Sequence, residues 1–263
     1  GGEGPARGSG GRDGRWRAAG AGGGQRSPVG GGDGSCRTTA QNRGRRVSML
    51  SFRRSDGELL WETDAPEGRP EYTHGKNSPA SATATTDGER VYVFFGVSGV
   101  VAFDLEGKQL WKKSVGTDLD PRRWGSSSSP ILYKKLLIVP ALVESQSMVA
   151  FDKLTGEVKW SKKAGGFGST WGTPTLVDVA GGRQELVIAV PEEIWGFNPD
   201  TGRFNWYCKG LTSDSVCTSV VAADGIVYAI GGRRQSNSVA VRASGKNDVE
   251  KSNMLWSGRA QSG

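Results

Sequence analysis

Three aromatic residues, each followed by glycine, are the side chains in this sequence best suited to bind a ligand. They are His74-Gly75, Trp124-Gly125 and Trp171-Gly172, spaced 50 and 47 residues apart. An aromatic ring beside a glycine can present a flat face to a peptide, a glycan or a quinone-like ligand. The alternative is structural, with Trp124 and Trp171 filling gaps between neighbouring repeats. Small hydroxyl residues follow them, as expected at a crowded centre: Ser126, Ser128 and Thr173.

The amino-acid composition argues against several kinds of metal-binding and catalytic site. His74 is the only histidine, which argues against a multi-histidine metal site and a histidine-dependent catalytic triad. The three cysteines are Cys36, Cys208 and Cys217, and no two of them have the C-x-x-C spacing of a zinc or thioredoxin-like motif. Cys208 and Cys217 stay open as either a disulfide or two separate thiols. No catalytic residue and no metal ligand is therefore predicted from residue types alone.

The aromatic residues are positioned by a repeated hairpin. Residues 149–160 read V-A-F-D-K-L-T-G-E-V-K-W, in which alternating apolar residues lead into a D-x-x-T-G turn. Two short alternating runs joined by a glycine-bearing turn predict a β-hairpin. The hairpin recurs, and its closing tryptophans are spaced by 50, 49, 46 and 50 residues: Trp61, Trp111, Trp160, Trp206 and Trp256. A fixed period of this length indicates a repeat architecture.

Each full repeat contains four predicted antiparallel strands, which is typical of a β-propeller blade. The sequence therefore predicts an all-β propeller of about four and a half blades. The closing tryptophans lie on the outermost strands, where we expect them to dock over the edge between blades. The aromatic-glycine pairs precede the innermost strands, at one mouth of the central channel. The predicted segments are a half blade at 51–66, blades at 72–115, 124–164, 171–209 and 215–257, and a short tail at 259–263.

Residues 1–50 differ in composition from the rest of the chain. They carry sixteen of the glycines and nine arginines with three acidic residues, so they hold six of the seven net positive charges. Such a segment is expected to be disordered. Its arginines suggest RNA binding, but it has no repeated RGG box, and translation outside the native coding sequence, with Met49 as a true start, explains the composition better. Nucleic-acid binding is therefore disfavoured.

The form A-x-D-x-x-T-G-x-x-x-W at 150–160 resembles the tryptophan-docking motif of the PQQ-like (quinoprotein alcohol dehydrogenase-like) β-propeller repeats. The resemblance covers residues 51–258, with five copies in register. Two segments, W-G-S-S-S-S-P-I-L at 124–132 and S-T-W-G-T-P-T-L at 169–176, are most similar to the BamB-like bacterial members of the family. Family propellers have seven or eight blades, so the chain is expected to be a partial one.

The resemblance implies a non-enzymatic scaffold that binds a protein partner or an extended ligand on its loop face, without a cofactor. It also implies a periplasmic or extracellular location. No signal-peptide pattern is visible at the N-terminus, and no apolar run is long enough for a membrane span.

The alternative within the same family is a truncated quinoprotein dehydrogenase, in which PQQ lies over a calcium ion. The family's adjacent cysteine pair is absent, because Cys208 and Cys217 are nine residues apart. Carboxylates near predicted strand ends that could bind calcium or act as a base do not form a recognisable motif: Asp118, Asp120, Glu144, Glu192 and Glu193.

Four and a half blades cannot close a ring sized for seven or eight. The sequence therefore predicts an open arc with two exposed blade faces. Apolar faces of this kind promote association, so self-association through the blade ends is a further expectation.

Overall fold

The chain folds into five sheets of mainly antiparallel strands that follow one another along the sequence and form an open arc of propeller blades, which confirms the predicted fold class. The computed structural model describes residues 36–43, 46–65, 73–74, 77–231 and 237–259. The five sheets are numbered here as the first to fifth blades in chain order. No helix in these ranges is long and apolar enough to cross a membrane.

The strands of each blade are consecutive in sequence, with one exception in the fifth. The first blade has three strands: β1 (Cys36–Arg43), β2 (Arg46–Arg53) and β3 (Leu59–Asp64). The second blade has four: β4 (Thr85–Thr86), β5 (Arg90–Phe94), β6 (Val100–Asp104) and β7 (Gln109–Lys113). The third has β8 (Ile131–Tyr133), β9 (Leu136–Ala141), β10 (Ser147–Asp152) and β11 (Val158–Lys163).

The last two blades are joined by an insertion. The fourth blade contains β12 (Thr175–Val179), β13 (Arg183–Val190), β14 (Glu193–Phe197) and β15 (Phe204–Lys209). The fifth contains β16 (Val221–Ala223), β17 (Ile226–Ile230), β18 (Asn237–Arg242) and β20 (Met254–Arg259). Between β18 and β20, strand β19 (Asn247–Asp248) pairs in parallel with β15, and a short helix α1 (Glu250–Asn253) follows. The insertion therefore covers the outer edge of the fourth blade.

The repeated hairpin has the same irregularity in every blade. The register shifts where the strand before the turn reaches its last residues, between Ala102 and Phe103, Ala150 and Phe151, and at the matching places in the other blades. A β-bulge at this position bends the strand into the turn. The first residue of the turn then stabilises it. In the third blade, the Asp152 carboxylate accepts hydrogen bonds from the backbone N–H groups of Leu154 and Thr155. These bonds lower the pKa of Asp152 and outweigh the opposing effect of burial.

The apolar core lies between the blades rather than inside any one of them. Four buried clusters each combine residues from two neighbouring blades. Between the third and fourth blades, for example, Ile138 and Met148 pack with Leu186 and Ile188. Each four-stranded sheet can bury both faces only against its neighbours, so blade stacking is the main source of stability.

The first blade extends further toward the N-terminus than the sequence indicates. Strands β1 and β2 include residues 36–43 and 46–50, which the sequence analysis assigned to a disordered tail. Met49 is fully buried in the cluster between the first and second blades. The interpretation of 51–66 as a half blade without strands before it is therefore corrected. The glycine and arginine content of the whole segment masked the short alternation at Val47 and Met49. Residues 1–35, 44–45 and 260–263 lie outside the described residues.

Three of the closing tryptophans lie on the turn of the following blade. Each indole N–H donates to a backbone carbonyl of that turn, at N–O distances of 2.7, 3.2 and 3.1 Å: Trp61 to Leu105, Trp111 to Lys153, and Trp160 to Pro199. A Cβ on the turn glycine would lie 2.5–2.8 Å from the indole, at Gly107, Gly156 and Gly202. The glycine of each of these turns is therefore needed for the approach of the neighbouring tryptophan as well as for its left-handed backbone.

The remaining two tryptophans differ from this arrangement. Trp206 is fully buried, but its indole lies over Gly196 of its own blade and donates to the carboxylate of Glu185. The fifth blade has the insertion in place of the short turn that would otherwise receive this ring. Trp256 is on the outermost strand of the last blade and is 48 % exposed.

The Glu185 carboxylate gives a pH-dependent test of the fourth blade. Burial raises its pKa above the ordinary value of 4.5, against the opposing effect of the Trp206 indole. The folded chain therefore binds this proton more tightly than the unfolded chain, and stability is lost as pH rises from about 4.5 through the folded-state pKa. We expect Glu185→Gln, whose carbonyl can still accept the indole N–H, to raise Tm at about pH 8 and to change it little at about pH 4.

The exposed substitution Glu106→Gln is the control and should show no such pH-dependent difference. Thermal unfolding by circular dichroism measures both variants. A Tm for Glu185→Gln that is below wild type by the same amount at every pH would contradict the assignment of a destabilising buried charge.

Candidate binding site at the channel mouth

A short loop before the innermost segment of the third blade carries the most concentrated group of binding-type side chains. Asp120 is buried and holds this loop: its carboxylate accepts the backbone N–H of Arg122 at 3.1 Å and of Trp124 at 2.8 Å. Arg123 lies between them in a left-handed conformation, with φ of 57°. The carboxylate fixes the loop, so Arg122, Arg123 and Trp124 are presented on a preorganised backbone.

Trp124 and Trp171 come together at this place, which the sequence predicted as one mouth of the channel. Their ring centroids are 4.8 Å apart and their planes are tilted by 47°. The Arg122 guanidinium lies 5.5 Å from one ring and 5.8 Å from the other. A cation this close to two indoles contributes about 0.5–1 kcal/mol at an exposed site. Arg122 is exposed, Trp124 is half-buried and Trp171 is buried.

Trp171 is held by contacts across the blade boundary. Its indole N–H donates to the carbonyl of Gly125 in the third blade at 2.8 Å, and its backbone N–H donates to Val216 in the fifth. The following residue, Gly172, lies so close to the fifth blade that a Cβ would be 2.3 Å from the carbonyl oxygen of Thr218. The aromatic-glycine pair therefore fills a gap between blades at Trp171 and exposes part of a ring at Trp124.

A series of hydroxyl groups connects the innermost segments of four blades. A backbone N–H in one blade donates to a side-chain hydroxyl in the next, at 2.8, 3.0 and 2.9 Å: Thr83 to Ser129, Ser129 to Thr173, and Thr173 to Ser219. The sequence analysis singled out Thr173 but missed Ser129 and Ser219. Their spacing could have identified them, because Thr83, Ser129, Thr173 and Ser219 are separated by 46, 44 and 46 residues. These bonds replace part of the strand pairing, and the innermost strands β4, β8 and β16 are correspondingly short.

The other predicted mouth residues lie near this group. His74 is exposed, and its backbone N–H donates to the carbonyl of Arg123 at 2.7 Å, so it stands beside the loop that carries Trp124. Ser126 is half-buried and faces Gly96 of the second blade. The hydroxyl of Ser128 donates to the carbonyl of Gly172 at 3.0 Å, which is an inter-blade contact.

Comparisons with known proteins show the family and the fold of the chain. The family model described as "Outer membrane protein assembly factor BamB" matches residues 43–262. The chain belongs to this PQQ-like repeat family. No curated protein sequence matches the chain. Among solved structures it is similar to BamB from Moraxella catarrhalis, with 19 % sequence identity and a TM-score of 0.60, over 85 % of this chain and 61 % of that one.

It is also similar to a europium-containing methanol dehydrogenase, with 9 % identity and a TM-score of 0.58, over 84 % of this chain and 61 % of that one. At these identities the likeness shows the fold alone. The chain spans about three fifths of the length of both solved structures.

The carboxylates considered for a calcium and quinone site in this BamB-like chain have separate structural contacts. Asp120 is engaged by the backbone of its own loop, and Glu193 accepts the indole N–H two residues further along at 2.5 Å. Glu144 is buried, Asp118 is exposed, and Glu192 has a left-handed backbone with φ of 67°. Within the described ranges, no three His, Cys, Asp or Glu residues form a group that could hold a metal ion.

The two cysteines that the structure describes in full are separate thiols. Cys208 is buried in the fourth blade and Cys217 is exposed. Burial raises the pKa of Cys208 to about 11, so the thiol form is favoured at neutral pH. The adjacent cysteine pair that the family's dehydrogenases place over the quinone has no counterpart in these two residues.

Proposed function

We propose that this chain is a non-enzymatic, BamB-like propeller scaffold that binds an extended segment of a partner protein at the channel mouth. The observation that carries the proposal is the group of Arg122, Trp124 and Trp171 on a loop fixed by Asp120. Rigid loops on a propeller scaffold are well suited to binding, because the blades hold them in place. Membership of a family described as an assembly factor supports the same reading.

The chemistry of the site defines the partner segment. The exposed part of the Trp124 ring favours an aromatic or aliphatic side chain, because aromatic residues provide much of the energy at protein interfaces. Arg122 and Arg123 are both exposed and favour carboxylates, which arginine binds with two parallel hydrogen bonds. The partner segment is therefore expected to combine acidic with aromatic residues. A periplasmic or extracellular location is part of this proposal and rests on the family resemblance.

Immobilised synthetic peptides test the proposal directly. We expect peptides that alternate Asp or Glu with Phe or Trp to bind better than scrambled peptides and better than peptides with Lys in place of the acids. Trp124→Ala and Arg122→Ala should each weaken this binding about tenfold. Arg203→Ala, an exposed arginine on the fourth-blade turn, is the matched control and should leave binding unchanged.

Two results would contradict this function. One is binding that does not distinguish acidic-aromatic from basic-aromatic peptides, or that survives both site substitutions. The other is a saturable rise in Tm, or a shift in quinone absorbance, when PQQ is added with Ca²⁺. That second result would instead support the dehydrogenase alternative.

A further inference from the structure

One pair of facing residues sets the fourth blade apart from the others. Trp195 on β14 and Tyr207 on β15 are directly opposite each other in the register, so both rings lie on the same face of the sheet. In the other blades the same pair, next to the closing tryptophan, combines an aliphatic with a polar residue: Leu50 with Glu62, Val101 with Lys112, Val149 with Ser161, and Val239 with Ser257. The blade fold itself therefore does not require aromatic rings at this position.

Phe204 joins the two rings in a continuous row. Its ring is edge-on to Trp195, with centroids 5.6 Å apart at 86°, and it lies 6.3 Å from Tyr207 at an angle of only 23°. The residue at the same place, two before the closing tryptophan, is not aromatic in the other blades: Leu59, Gln109, Val158 and Met254. All three aromatic side chains are half-buried. Trp195, Phe204 and Tyr207 are called the aromatic row below.

The aromatic row is fixed by the segment that joins the third and fourth blades. The Trp195 indole donates to the Glu193 carboxylate at 2.5 Å, and a Cβ on Gly166 would lie 2.4 Å from the Trp195 ring. Phe167 is fully buried beneath, with its ring centroid 5.4 Å from that of Trp195. Rings held in this way lose little conformational freedom when a ligand packs on them.

The aromatic row is partly exposed although the blades on both sides of it, the third and the fifth, are present. The third blade has four strands, whereas the fourth has a fifth strand, β19, on its outer side. Tyr207 pairs with Asp248 of β19, so it lies within the sheet rather than at its edge. The fourth sheet is therefore wider than the third-blade sheet that it faces.

Polar groups of both charges border the aromatic row. Glu193 lies opposite Lys209 across the same two strands, and Asp248 lies beside Tyr207 in the parallel pair. Lys209 and Asp248 are exposed, and Glu193 is half-buried. The mixture of signs does not favour a strongly anionic or cationic ligand. Carboxylates accept hydrogen bonds from hydroxyl groups and ammonium groups donate to them, so a neutral ligand with many hydroxyls fits these borders.

We propose that the aromatic row binds a neutral oligosaccharide. The C–H groups on one face of a sugar ring form an apolar surface, which packs on the rings of Phe204 and Tyr207. The Glu193 carboxylate holds the Trp195 indole with one oxygen and offers the other to a sugar hydroxyl. The proposal uses none of the residues of the peptide site at the channel mouth and does not depend on it.

The hydrogen bonding of Trp195 favours a sugar over a proline-rich segment. Proline-rich segments also dock on aromatic-lined grooves. Their backbone has no internal hydrogen bonds, so its carbonyls need donors from the groove. The Trp195 N–H is already bonded to Glu193 and does not supply one.

Immobilised neutral oligosaccharides of glucose, galactose, mannose and N-acetylglucosamine test the proposal on the 263-residue chain by surface plasmon resonance. At least one of them should bind saturably and compete with the same sugar in solution. Tyr207→Ser gives the fourth blade the residue of the third and should weaken binding about tenfold or more. Tyr207→Phe keeps the ring and should retain binding, whereas Glu193→Gln keeps an acceptor for the indole but should weaken binding severalfold. Tyr228→Ser, at a tyrosine of the fifth blade that is 38 % exposed, is the matched control and should leave binding unchanged.

Three results would overturn the proposal. The first is that no oligosaccharide of the panel binds saturably. The second is that Tyr207→Ser and Tyr228→Ser weaken binding equally. The third is that a polyproline peptide binds in place of the sugars and is lost with Tyr207→Ser, which would assign the row to a proline-rich segment. Circular dichroism checks that Tyr207→Ser keeps the fold; if it does not, equal binding by Tyr207→Phe, Glu193→Gln and wild type would also count against the proposal.

Discussion

Trp160→Ala is expected to lower the free energy of unfolding by about 3–5 kcal/mol, because it removes a large buried ring and leaves a cavity. Trp160 packs with Phe167 and Phe197 in the cluster between the third and fourth blades, and it donates a hydrogen bond of 3.1 Å to the fourth-blade turn. A typical domain is stable by only about 5–15 kcal/mol. The loss is therefore expected to separate the two blades well below the temperature at which wild type unfolds.

Urea unfolding followed by tryptophan fluorescence and by circular dichroism measures this effect. Trp256→Ala is the matched control, since it removes the same ring from the corresponding outermost strand at a position that is 48 % exposed. At a protein concentration low enough to keep the chain monomeric, it should cost much less. Equal losses for the two variants, or an unchanged midpoint for Trp160→Ala, would show that the ring does not hold the blades together.

The hairpins and the fold class could be predicted because the residues that determine each hairpin recur in every repeat of the sequence. Alternating apolar residues specify the strands, and the Asp and Gly of each turn specify its hydrogen bonds and left-handed backbone. The position of a tryptophan ring, however, depends on the blade that follows. The Trp160 indole donates a hydrogen bond to a short turn of the following blade, at 198–202. The blade after Trp206 has an insertion in place of this turn, and the Trp206 indole donates to Glu185 instead. The sequence of the fourth blade alone does not contain that difference.

The candidate site could be predicted in part. The aromatic-glycine pattern identified Trp124 and Trp171, which lie 4.8 Å apart in the structure. Arg122 was missed because its place over both rings depends on the Asp120 turn, a local feature that no repeat in the sequence marks. Ser129 and Ser219 were missed because a hydroxyl that accepts a bond from the next blade looks like any small residue near a crowded axis.

Gly172→Ala is the second substitution with a large expected effect, and it tests the close approach of the innermost segments. The new Cβ would lie 2.3 Å from the Thr218 carbonyl oxygen and 3.0 Å from its carbon, so the fourth and fifth blades must move apart. Overpacking of this kind costs about 1–3 kcal/mol or more. We expect a lower unfolding free energy and a changed fluorescence spectrum, because Trp171 is the preceding residue and its ring contacts that of Trp124.

The control is Gly165→Ala, at a glycine whose added Cβ would meet no atom within 4 Å and whose φ is not left-handed. It should be neutral or stabilising by about 0.4–1 kcal/mol, because alanine restricts the unfolded chain. The contact at Gly172 is with backbone, so Thr218→Gly in the Gly172→Ala background should not restore stability. Restoration by Thr218→Gly would mean that the Thr218 side chain causes the clash, and the inter-blade backbone contact would then be excluded as the reason for glycine at 172.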